Sequence, residues 1–125
     1  MFNSSAIVIS LAKEDWNRVF YECRSLSAHW HDLSIYLGLA VDDLERITRD
    51  NRNDSKACLK KALYEWIKQN YSTPKYGLPS WRSLLKAVWE VDRHLFKALA
   101  VKYKATSIMS LICFSVCMHL LFSIQ

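Results

Sequence analysis

Glycine and proline are scarce in this chain, with two of each in 125 residues. Pro74, Pro79 and Gly77 fall in one short stretch, and Gly38 stands apart. A β-rich fold needs turn residues spread along its length, so this distribution favours helices. No phosphate-binding glycine loop can be built from two isolated glycines. Charge is missing from both ends: every Asp, Glu, Lys and Arg lies between Lys13 and Lys104. The apolar patch Ala6–Ile9 has no basic flank and is too short for a secretory h-region. The four cysteines, Cys23, Cys58, Cys113 and Cys117, are too dispersed for a disulfide framework, so a cytoplasmic chain with reduced thiols is expected.

What is present is apolar surface. Half of the residues are hydrophobic and 13 % are aromatic, enough for one packed core and contrary to disorder. The length suits one domain. The expected organisation is an apolar leader over 1–10, a folded domain over 11–104, and an apolar tail over 105–125.

The folded part reads as consecutive amphipathic helices. Trp16, Val19, Phe20, Cys23 and Leu26 recur at spacings of three and four, which predicts a first helix from about Leu11 to Leu26. Trp30, Leu33 and Leu37 continue the spacing in a second, stopped by Gly38. Val41–Ile47 forms a short third, with Leu44 and Ile47 inward and Asp42 and Asp43 at the end that favours negative charge. The polar run Arg49–Asp54 is expected to be a loop. Asp54 or Ser55 can cap a fourth helix carrying Leu59, Ala62, Leu63, Trp66 and Ile67, with Lys61 and Lys68 opposite. After the turn-rich Tyr71–Pro79, Ser80 starts a fifth with Trp81, Leu84, Leu85 and Val88 inward. Asp92 starts a sixth with Leu95, Ala98 and Leu99 apolar. The expected core is Trp30, Leu33, Leu37, Leu44, Ile47, Leu59, Leu63, Trp66, Trp81, Leu84, Leu85, Leu95 and Leu99.

Several residues could carry chemistry. His29 and His31 would lie about 200° apart on a helix and cannot readily clamp one metal, so they read as surface histidines. Cys23 and Cys58 lie on or near apolar stripes and behave as small hydrophobes. No orienting group or oxyanion donor accompanies them, so no enzyme activity, metal or other cofactor is expected. The charged side chains say more. Asp42, Asp43 and Glu45 cluster on the third segment, with Asp32 upstream, whereas Lys56, Lys60, Lys61 and Lys68 share the fourth helix. A solvated surface of mixed sign would look the same. The alternative is a pair of oppositely charged patches.

The order of these pieces resembles the death-domain family. The resemblance rests on Trp30-His31-Asp32-Leu33, Leu37-Gly38-Leu39, Leu44-Glu45-Arg46-Ile47, Cys58-Leu59 with Leu63 and Trp66, Pro79-Ser80-Trp81-Arg82-Ser83-Leu84-Leu85, and Leu99-Ala100. It covers about Leu11 to Lys104. It implies an all-α, antiparallel six-helix bundle, here followed by an additional apolar C-terminal helix. It also implies a non-enzymatic signalling adaptor that binds other death domains, or itself in open helical assemblies. The helix 1 and 4 side of one copy would meet the helix 2 and 3 side of the next, through Lys56, Lys60, Lys61 and Lys68 against Asp32, Asp42, Asp43 and Glu45. A basic helical nucleic-acid binder is disfavoured, because the cations are interleaved with acids and no helix is basic along one face.

The tail differs in kind. Ile108–Ile124 is uncharged and mostly apolar, long enough to span a bilayer core as a helix. With Lys102 and Lys104 before it, the positive-inside tendency would leave the folded domain in the cytosol, anchored to a membrane. His119 and the serines oppose that reading. A sixth helix that runs on and folds back over the bundle is the alternative.

Overall fold

The structure, a computed structural model, describes residues 10–71 and 77–104, without the side chains of residues 103 and 104. Residues 1–9 of the leader, Pro74 and the tail over 105–125, with Cys113, Cys117 and the expected span 108–124, lie outside the described residues. Among the described residues the fold is all-helical, and its one extended contact is an isolated antiparallel bridge between Ser10 and Ser80.

A 3-10 turn, Lys13–Asp15, leads into α1 (Trp16–Cys23), and a second 3-10 segment, Arg24–His29, runs directly into α2 (Trp30–Leu37). Then follow α3 (Val41–Asp50), α4 (Ser55–Ile67), α5 (Trp81–Val91) and α6 (Arg93–Lys104). The expected continuous helix Leu11–Leu26 is therefore interrupted at both ends. At its C-terminal end, polar groups compete for the backbone carbonyls. The Ser27 hydroxyl donates to the Arg24 carbonyl at 2.7 Å, and the Arg24 guanidinium donates to the Tyr21 carbonyl at 2.5 Å.

Local signals fix most helix ends. Gly38 has φ 104°, and its N–H bonds the Ile35 carbonyl while that of Leu39 bonds the Ser34 carbonyl, both at 3.0 Å. This pair of bonds is a Schellman stop, which needs a residue at ease in the left-handed region. Asp54 caps α4, accepting from the amides of Lys56 and Ala57 at 3.1 and 3.2 Å. Ser80 and Ser83 cap α5 reciprocally: the Ser83 amide donates to the Ser80 hydroxyl at 3.1 Å, and the Ser80 amide to the Ser83 hydroxyl at 2.8 Å. Asp92 accepts from His94 and Leu95 at the start of α6.

The expected loop from Arg49 begins later, because α3 continues to Asp50. Its polar residues extend the helix instead of breaking it. The Thr48 hydroxyl donates to the Leu44 carbonyl and the Asn51 side-chain amide to that of Ile47, each at 2.8 Å. Arg52 and Asn53, with φ 55° and 63°, then reverse the chain. Each of these two consecutive left-handed residues carries a cost, which Asn bears better than Arg.

α4 is the central element. It packs against α1, the Arg24–His29 segment, α2 and α3, while α2 also meets α5, and α5 meets α6. Trp66 is 1 % exposed and is among the largest fully buried side chains. Trp30, Leu33, Leu37, Leu44, Ile47, Leu59, Leu63, Leu84, Leu85 and Leu99 are buried as expected. Trp81 and Leu95 are not: both are half-buried and only lie against the core. Trp81 occupies the first position of α5, where helix cover begins. On α6, Phe96 and Leu99 take the inward positions, and Leu95 falls roughly 70° off their mean direction. The Phe96 ring meets buried Trp89 edge-on, with centroids 5.4 Å apart.

Candidate interaction surfaces

The lysines of α4 are not loose in solvent. α1 turns Trp16 and Phe20, four residues apart, toward α4. The Trp16 indole N–H donates to the Lys60 carbonyl at 2.8 Å, and the Lys60 ammonium lies 5.4 and 5.7 Å from the Trp16 and Phe20 ring centres. Lys61 and Lys68 each stand 5.2 Å from the ring of Tyr64, one on either side of it in sequence. Such cation–aromatic contacts are worth about 0.5–1 kcal/mol at exposed sites and restrict where the charge can go. Lys56 is exposed in the first turn of α4. Three of the four expected cations thus lie within α4 and Lys68 is its C-terminal cap, and Lys60 ties the group to α1.

The carboxylates divide into two groups. Asp32 on α2, and Asp42 and Glu45 on α3, are exposed. Asp43 is half-buried and pairs along the helix with Arg46, whose Nη2 lies 3.3 Å away. Asp43 thus keeps a place among the carboxylates of α3 and also joins an ion-pair network through Arg46. That network centres on Glu65, which the sequence reading missed. Glu65 is 6 % exposed and accepts from Nη2 and Nη1 of Arg46 at 2.7 and 3.0 Å, and from the Asn70 side-chain amide at 3.3 Å. Its second oxygen is 4.0 Å from the Lys61 ammonium. The hydrogen bonds to Glu65, helped by Asp43, raise the Arg46 guanidinium above its ordinary range, so the cation persists at every accessible pH. The signal for Glu65 was its position on the buried stripe with Cys58 and Ala62, where a carboxylate requires a cation.

Among the described residues, two shallow depressions lie beside these charged groups. One, of about 190 Å³, is lined by Lys61, Tyr64, Glu65, Lys68 and Asn70. The other, of about 520 Å³, lies between α1 and α6 and is lined by Asn17, Arg18, Tyr21, Glu22 and Lys102.

His29 and His31 are exposed, and the His31 ring lies edge-on to Trp30. Cys23 and Cys58 are buried. Burial, reinforced by the charge of Glu22, pushes the Cys23 thiol up to about 12. Burial, with Asp54 beside it, also raises the Cys58 thiol, which points at the Ile47 carbonyl at 3.8 Å. Both are held in the neutral form, which is a poor nucleophile. Among the described residues no group of three or more His, Cys, Asp or Glu side chains is placed to hold a metal ion, and no helix is long and apolar enough to cross a membrane.

Comparison with known proteins returns no matching family model, no matching curated protein and no matching solved structure.

Proposed function

We propose that the chain is a death-domain adaptor: an antiparallel six-helix module, without a reaction or a cofactor, that recruits other death domains or further copies of itself. The observation that carries this reading is the division of exposed charge between elements. Lys56, Lys60 and Lys61 stand on α4 and Lys68 caps its C-terminal end, with Lys60 held over the aromatic side chains of α1, while Asp32, Asp42 and Glu45 are exposed on α2 and α3. The first group of one copy complements the second group of the next. A contact between two different patches is heterologous and propagates into an open helix when the rotation does not close. Opposite charge steers the encounter and fixes its register. Such a module works in the cytoplasm, and the uncharged stretch 108–124 would tether it to a membrane there.

The test is charge reversal at the exposed carboxylates that take no part in the Arg46 network. Asp42→Lys with Glu45→Lys should weaken self-association by at least about tenfold in light scattering, with the helical circular dichroism unchanged. Mixing that variant with Lys60→Glu/Lys61→Glu should restore part of the association. Equal association by all forms, in low and high salt alike, would remove the reading.

A further inference from the structure

The α1–α6 face is chemically distinct from the patches just described. Its depression has Arg18 and Tyr21 on one side and Lys102 on the other. Tyr21 is 56 % exposed, and the Arg24 guanidinium stacks 3.8 Å from its ring centre. Glu22 supplies the only carboxylate of the lining, and it is ion-paired with Lys102. Arg18, Arg24 and Lys102 against Glu22 leave this face with an excess of positive charge. Val101, beside Lys102, is 70 % exposed. An exposed aromatic, an exposed aliphatic and several cations with long apolar stems form the combination that suits the boundary between lipid headgroups and water.

The position of the face identifies its occupant. Lys102 is two residues before the end of α6 at Lys104, and from 105 to 125 the sequence carries no charged residue. A chain leaving α6 for a bilayer therefore starts within one helical turn of this face. On α1, Arg18 and Tyr21 point roughly 100–160° away from Trp16 and Phe20, the residues that meet α4. The α4 lysines thus remain available to a second copy while the α1–α6 face is covered.

We infer that Arg18, Tyr21, Arg24, Val101 and Lys102 form a surface that rests on an anionic membrane. The inference rests on the tail-anchored form of the proposed function, and adds that the folded domain is held down by its own face and does not swing on a tether. Cations at an anionic leaflet gain from its negative potential, and the gain is screened by salt.

The experiment is flotation of the full chain with vesicles of phosphatidylcholine alone, and with vesicles of equal parts phosphatidylcholine and phosphatidylserine. Partitioning should be about tenfold stronger on the anionic vesicles. That preference should vanish in Arg18→Glu/Arg24→Glu and in high salt, and survive in Lys60→Glu/Lys61→Glu, which changes net charge equally. Loss of the preference in both variants would assign it to overall charge and overturn the inference. Equal flotation on both vesicles would also overturn it, leave the anchor standing, and free the face for an acidic protein segment. No flotation on either would remove the anchor together with the inference, while the self-association test above would still decide the adaptor reading.

Discussion

Arg46 grips Glu65 with both terminal nitrogens, at 2.7 and 3.0 Å, and so bolts α3 to the buried side of α4. Removing the cation alone strands a carboxylate that is 6 % exposed. Arg46→Met is expected to cost about 2 kcal/mol. This is less than the ~3–5 kcal/mol typical of fully buried pairs, because 35 % of the Arg46 side chain reaches water. Replacing both partners, in Arg46→Met/Glu65→Leu, should recover most of that loss. Chemical denaturation of the two singles and the double measures the coupling, and additive losses would show that the pair does not act as a unit.

The single largest loss should come from Trp66→Ala. The ring is fully enclosed in the last turn of α4, so its removal should cost ~3–5 kcal/mol in urea unfolding. An unchanged midpoint would mean that α4 is not the hub of the core.

Helix starts should respond in smaller and separable steps. Asp54→Ala and Ser80→Ala each remove a side-chain acceptor from a helix N-terminus, and each should cost about 1 kcal/mol. The two caps are on different helices, so their losses should add in the double variant.

Cys23 predicts an alkaline effect. Its thiol is raised from 9.0 to about 12 in the folded protein, chiefly by burial and then by Glu22. In the unfolded chain the thiol ionises first, so the stability that it contributes is intact below pH 9.0 and is lost as pH rises toward about 12. Denaturation series at increasing pH should show stability falling more steeply above that point for the native chain than for Cys23→Ala. The same burial should make Cys23 unreactive toward a maleimide until denaturant is added.

The features legible in the sequence were those decided within a few residues. Asp54, Ser80 and Asp92 act on amides two or three positions ahead, and Gly38 acts on carbonyls three and four positions back, so residue type alone locates them. The 3.6-residue spacing likewise places Leu59, Leu63 and Trp66. The Arg46–Glu65 pair spans 19 positions and the Trp16–Lys60 bond 44. Both require knowing which helices meet, which local spacing does not encode. That is why Glu65 went unnoticed. Phe96 went unnamed beside Leu95 for a related reason: either fits an apolar stripe, and the position of Trp89 on the neighbouring helix decides between them.

The Trp16 indole donates to the backbone of Lys60 and lies under that residue's ammonium. This makes the ring an optical probe built into the cationic side of the domain. Indole emission shifts with nearby charge and hydration, and Trp16 is half-buried where Trp66 is sealed from solvent. A carboxylate that drew the Lys60 ammonium away from α1 would change the light emitted by Trp16 and leave that of Trp66 untouched. Docking on α4 would then be visible without any attached dye, and a chain in which Trp16 is replaced by Phe would be blind to it.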